Sequence, residues 1–301
     1  MDSPLSTNPE FDRLVLHHEP SCNRPILCQE PPFDPVAARG IRVDKRKVRE
    51  NFDRAARRYD EIAELQRNIG DRLLTHLDPI ALEPDTVLDM GAGTGYCLAP
   101  LEKRYPEARV IALDLANVML QEARHRKRVS EKGLFVCGDA EQLPLRDACI
   151  DLLFSNVTVQ WCNDLAGTCH EFARVLRPGG LAVFSTFGPD TLWELRDSWG
   201  GIDDNGHVST FVDMHDIGDM LVRTGFTGVV MDRETVVCAY DEVRALMREL
   251  KTLGAHNATA TRPRGLTGRK HFQAMLDAYE RHRNDGYIPA TYEVIYACGW
   301  R

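Results

Sequence analysis

The sequence predicts an α/β fold built on a doubly wound, mostly parallel sheet. Five short apolar runs, at 86–90, 109–114, 133–139, 150–156 and 180–187, have the near-continuous hydrophobicity of strands buried on both faces. Helical patterns at 97–104, 116–128 and 165–176 alternate with them, which is the rhythm of βαβ units. A glycine-rich turn directly after the first run marks the edge where such sheets bind ligands.

The elements follow in order. Residues 1–40 hold seven of the sixteen prolines and show no sustained periodicity, so they read as a mobile tail ahead of a single domain at 41–301. From Val48 through Phe52, Tyr59, Leu65, Ile69 and Leu73, apolar side chains recur at helical spacing. This predicts a cap of one or two amphipathic helices over 41–80, ending before Pro79. The core spans 81–240, with a helix at 214–224. Two late runs, 228–240 and 291–300, are rich in β-branched and aromatic residues and can pair as antiparallel strands. Between them, 241–288 forms a helical, basic insertion that is expected to act as a lid, and 289–301 closes the sheet.

Composition sets the class. A chain of 301 residues with 43% hydrophobic side chains can bury a sizeable core. Its net charge of -8 argues against a nucleic-acid coat and against a polybasic membrane adhesive. Nine cysteines without a C-x-x-C pair read as reduced thiols, and neither they nor the ten histidines show metal-ligand spacing. The opening MDSPLSTNPEFDRLV lacks a secretory pattern and no apolar run is long enough to span a bilayer, so a cytoplasmic protein is expected.

The glycine turn reads Asp89-Met-Gly91-Ala-Gly93-Thr-Gly95, and it opens a helix. Glycines there permit a tight turn and close approach of a ligand to the backbone. The spacing departs from the dinucleotide fingerprint, because Tyr96 follows Gly95. Asp114 ends the second strand, where a carboxylate can accept from both hydroxyls of a ribose, and Asp139 ends the third, where it suits an adenine amino group. Three acids on one rim repel a pyrophosphate and suit a ligand carrying an ammonium and a sulfonium.

On VLDMGAGTG, IALD, GDAEQLP and LRPGG, residues 84–188 resemble a class I S-adenosylmethionine-dependent methyltransferase. The resemblance implies a seven-stranded, Rossmann-like sheet with its last strand antiparallel. It places Asp89, Gly91, Gly93 and Gly95 under the methionine part of the cofactor, Asp114 at the ribose, Asp139 at the adenine amine and Asn156 beside the methionine moiety, with Leu115 and Ala140 also expected at the cofactor. The flanks NFDRAARRYDEIAELQRNIGDRLL, FGPDTLWELRDSW, LKTLGAHNATATRPRGLTGR and PATYEVIYACGW resemble the malonyl-carrier-protein O-methyltransferase family of biotin synthesis. That family esterifies the free carboxylate of a malonyl thioester, turning S-adenosylmethionine into S-adenosylhomocysteine. It implies Tyr59 over the methionine carboxylate.

A carboxylate acceptor, with a pKa of roughly 3 to 4, is ionised at neutral pH and needs no general base. The chemistry needs a cation that holds the carboxylate while one oxygen stays free. Arg262, Arg264, Arg269 and Lys270 fall within ten residues that contain no acid, and Arg269, inside GLTGR, is the first candidate, followed by Arg262. Trp161 is expected to wall the methyl-transfer pocket. His207 and His215 lack an evident partner in the sequence and read as structural. The expected partner is malonyl-acyl-carrier protein or malonyl-CoA, with no metal, nucleic acid or membrane; the oligomeric state is left open. A methyltransferase for a small free carboxylic acid, or a cofactor-binding assembly factor that does not methylate, uses the same core. The charge is uneven: 41–58, 122–132 and 261–270 are each net positive, as an acidic carrier protein requires near the pocket mouth.

Overall fold

The computed structural model describes residues 42–130, 133–202, 206–255 and 268–301, together with the backbone of the strand Leu14–Leu16. Apart from that strand, the expected tail at 1–40 lies outside the described residues, as do Arg262 and Arg264.

The strands are β1 (Leu14–Leu16), β2 (Thr86–Met90), β3 (Arg109–Asp114), β4 (Leu134–Cys137), β5 (Ile150–Ser155), β6 (Leu176–Phe187), β7 (Thr227–Tyr240) and β8 (Ile288–Trp300). They lie in the order β1-β7-β8-β6-β5-β2-β3-β4. From β6 through β4 all neighbours are parallel, while β8 runs antiparallel to both β6 and β7. This is the expected seven-stranded sheet with its last strand reversed. β1 adds an antiparallel edge strand outside β7, with Leu14 opposite Cys238.

Side-chain alternation along the strands feeds two cores. Val87, Phe154 and Val183 join Leu73, Leu98, Leu246 and Tyr292 on one face. Leu88, Leu153 and Phe184 join Phe172, Leu176 and Leu221 on the other. One expectation fails at the sheet edge. β4 is not buried on both faces, and Leu134 is 46% exposed. Among the described residues its only strand neighbour is β3, which leaves it at the edge of the sheet.

The helical cap has three pieces, not one or two: α1 (Lys45–Ala55), α2 (Tyr59–Ile62) and α3 (Glu64–Thr75). Asp44 caps α1 by accepting from the Lys47 N–H at 3.2 Å. Asp53, on α1, accepts from the Val118 N–H at 3.0 Å, and so caps a core helix, α5 (Asn117–His125), from across the cap seam. Asn163 closes a reciprocal pair with the Val43 backbone. These long-range caps fix the cap against the carboxyl edge of the sheet. The remaining helices are α4 (Leu98–Arg104), α6 (Leu165–Val175), α7 (Trp193–Gly200), α8 (Met214–Arg223), α9 (Val243–Thr252) and α10 (Arg269–Tyr279). The last two occupy the expected insertion.

Candidate active site

The glycine turn leaves β2 and is tied to the end of β3, where the Gly91 and Ala92 N–H groups both donate to the Leu113 carbonyl, at 2.7 and 2.9 Å. Gly91 has φ +75° and packs against Thr158, so a side chain there would be both strained and obstructed. Gly93 has φ +56° with open space where a Cβ would stand, which is the close approach a ligand needs.

The cleft above this turn is lined by Gly91, Gly93, Asp114, Leu115, Asp139 and Ala140, with Tyr59, Asn156 and Trp161 completing its wall. Asp114 is held by two backbone donors, Gly93 N–H at 2.9 Å and Ala116 N–H at 2.7 Å, one to each oxygen. A carboxylate oxygen accepts more than one bond, so acceptor sites remain for two hydroxyls. Burial pushes the Asp114 carboxyl up to about 6, and those two N–H groups restrain the rise.

Asp89 lies beneath the turn, in a smaller recess shared with Gly91, Gly93, Tyr59 and Gln66. It is 2% exposed, and its Oδ2 has no hydrogen-bond partner. Burial, reinforced by the charge of Asp114, pushes its carboxyl up to about 8. A buried acceptor left unsatisfied is costly and invites a cationic ligand. Burial, with Asp114 and Asp60 nearby, also keeps the Tyr59 phenol protonated.

A second pocket opens beside the cleft and shares Phe52, Tyr59, Val157 and Trp161 with it. Its wall is aromatic. Phe52 stands edge-on to Trp161 at 5.5 Å between ring centroids, and Phe187 meets Phe211 at 5.9 Å and Tyr292 at 5.6 Å. Val157 and Leu192, both on this wall, hold φ of +50° and +54°, a strained conformation for such side chains. None of the described residues lining this pocket is charged. An uncharged, largely aromatic pocket thus adjoins a cleft that holds Asp114 and Asp139.

The Methyltransferase domain family model matches residues 88–184. A malonyl-[acyl-carrier protein] O-methyltransferase of Nitrosospira multiformis is 48% identical over 275 residues, covering 86% of this chain and 90% of that protein. One from Laribacter hongkongensis is 51% identical over 267 residues, with the same coverages. The chain belongs to the malonyl-[acyl-carrier protein] O-methyltransferase family. Among solved structures, the complex of the Haloferax volcanii Trm112 methyltransferase activator with a methyltransferase superposes with a TM-score of 0.53 at 20% identity, covering 84% of this chain and 96% of that one. At that identity it bears on the fold alone.

In this methyltransferase most of the residues expected at the cofactor converge on the cleft or the recess below it, and Gly95 instead shapes the turn behind it, with φ +82°. Asn156 lines the cleft, but its amide is already engaged: it donates to the Gln66 carbonyl at 2.8 Å and accepts from the Ser185 hydroxyl at 2.8 Å. Arg269 opens α10 as an exposed residue and does not line either pocket; Arg262 falls in 256–267, outside the described residues. His215 pairs with Asp213 at the start of α8, and His207 stacks on Trp199.

Three side chains that line these pockets were not singled out from the sequence. Lys45 reaches into the cleft from α1 and pairs with Asp139 at 2.6 Å and Glu141 at 2.5 Å. Phe52 separates the two pockets. Gln66 lines both the recess and the second, aromatic pocket, and its Oε1 is buried without a partner. Each sits on a helix whose periodicity was visible but whose placement over the sheet edge was not.

Proposed function

We propose that this chain transfers a methyl group from S-adenosylmethionine to the free carboxylate of a malonyl thioester carried on acyl-carrier protein, forming the methyl ester used in biotin synthesis. The single observation that carries this reading is the pairing of an acid-lined cleft with an uncharged aromatic pocket across Phe52 and Trp161. The names of the relatives supply the substrate.

The residues fit the cofactor. The unpartnered Asp89 oxygen suits its ammonium, Asp114 the ribose hydroxyls, Asp139 the adenine amine, and the open face of Gly93 leaves room for the chain between them. When bound, the cofactor supplies a methyl group activated on a sulfonium. The protein's part is placement, since an acceptor oxygen must stand about 3 Å from the methyl carbon in line with the bond that breaks. Tyr59, Phe52 and Trp161 form the boundary shared by the two pockets. The acceptor arrives ionised, so no side chain has to take its proton.

A cation must then hold the other malonyl oxygen, and the described wall has none. The wall runs up to Ala255, immediately before 256–267, and the chain is described again from Gly268. On the resemblance of GLTGR alone, Arg269 stays the first candidate for the malonyl carboxylate and Arg262 the second, although Arg269 is exposed and lines neither pocket. Arg269→Ala is expected to leave cofactor affinity near wild type while kcat/KM on malonyl-carrier protein falls. Calorimetry that finds an equal loss of cofactor affinity rejects the assignment.

A further inference from the structure

A second, larger concavity lies on the other side of α1 from the acceptor pocket. It is an open groove of about 950 Å³ between α1, α2, α9 and the end of β7. Arg54, Arg58, Arg248 and Lys251 line it, and Tyr287, 53% exposed, gives it an aromatic surface. Two acids face it as well: Asp241, and Glu249, whose Oε1 accepts from the Tyr240 hydroxyl at 2.8 Å. Arg54 is engaged, donating to the Asn51 side chain at 2.5 Å and to the Glu50 carbonyl at 3.0 Å, whereas the other two arginines are loosely committed. Arg58 pairs with Glu61 at 3.3 Å and Arg248 with Glu242 at 2.7 Å, yet both arginines are more than 60% exposed. Exposed pairs of this kind contribute little, so a better-placed anion can replace the partner.

The groove and the acceptor pocket share no lining residue, but the same two helices wall both. On α1, Phe52 faces the pocket while Asn51 and Arg54 face the groove; on α9, Leu250 does the first and Lys251 the second. The two helices touch where α9 ends, since a Cβ on Gly254 would stand 3.0 Å from the Asn51 carbonyl oxygen.

We propose that this groove is the docking surface for the acidic carrier protein that presents the malonyl thioester. The inference rests on the functional reading above. The enzyme carries a net charge of -8, so an acidic partner is repelled by the molecule as a whole and needs a local basic surface to orient it. Arginine and tyrosine on an exposed concavity are also the residue types that anchor protein interfaces. The 122–132 run serves differently. Arg126 and Arg128, from 122–132, are both turned onto Asp60 inside the fold.

The test is a triple charge reversal, Arg58→Glu with Arg248→Glu and Lys251→Glu, all at exposed positions. Methyl transfer is followed on malonyl-carrier protein and on the malonyl thioester of N-acetylcysteamine, which has no carrier. The expected result is a loss of about tenfold or more in kcat/KM on the carrier substrate, a flatter dependence on salt, and unchanged rates on the small thioester. Thermal unfolding and cofactor affinity stay at wild type, and Arg58→Lys with Arg248→Lys restores the carrier rate. Unchanged kcat/KM on malonyl-carrier protein, or an equal loss on both thioesters, overturns the docking surface while leaving the function standing. If the wild type methylates neither thioester, the functional reading fails and the proposal fails with it.

Discussion

Asp60 and Arg128 pair at 2.7 Å across the seam between the helical cap and the sheet. Arg126 and the Thr94 hydroxyl donate to the same carboxylate, so one side chain of α2 is held by the glycine turn and by the segment after α5. Its neighbour in sequence, Tyr59, lines all three compartments of the site. Asp60→Ala is expected to lower stability by about 1 to 3 kcal/mol, because two part-buried guanidinium groups lose their acceptor. Cofactor affinity falls as well, since Tyr59 is no longer anchored. Chemical denaturation and calorimetry measure the two effects, and a stable variant with wild-type affinity contradicts the role.

Asp114→Ala removes the acceptor that both the turn and the ribose require. Cofactor binding is expected to weaken by about 1 to 3 kcal/mol. Unchanged affinity in a titration with S-adenosylhomocysteine rejects the ribose assignment.

The buried Asp89 gives the site a pH signature. Its folded carboxyl is raised from 3.8 to about 8, so between those values the folded, cofactor-free protein keeps a proton that the unfolded chain has released. This group's contribution to stability therefore declines as pH rises through that window. A cofactor ammonium favours the charged carboxylate, so binding releases the proton and affinity rises between about pH 6 and 8, by up to about tenfold per unit. Asp114, raised to about 6, steepens the dependence at the acid end. Calorimetry in buffers of different ionisation enthalpy detects the release. Asp89→Asn abolishes it; a wild-type protein that releases no proton contradicts the pairing.

Gln66 separates function from stability. Its Oε1 already lacks a partner, so Gln66→Leu is expected to cost less than about 1 kcal/mol of stability. Turnover is expected to fall about tenfold or more, because the amide faces both the recess and the acceptor pocket. Wild-type kcat/KM in a stable variant removes Gln66 from the site.

The sheet and its glycine turn were legible because local pattern determines them. β2 and β3 fall where the apolar runs end at Asp89-Met90 and at Asp114, and helices α6 and α8 start at the expected residues, behind Asp164 and Asp213 caps. β4 was misread because a strand at the sheet edge can be as apolar as an inner one. The cap residues were visible as a helical face, yet nothing local says that Lys45 meets Asp139 or that Asp60 meets Arg128, separated by 94 and 68 positions. The basic runs were counted correctly, but charge alone does not distinguish Arg128, turned inward, from Arg58, left in solvent.

Transfer from S-adenosylmethionine to malonyl-carrier protein, read by mass spectrometry of the intact carrier, tests the central claim most directly. The account predicts one added methyl on malonyl-carrier protein, removable by ester hydrolysis, with none on acetyl-carrier protein and none on free malonate. A chain that binds the cofactor and leaves malonyl-carrier protein unmethylated contradicts it.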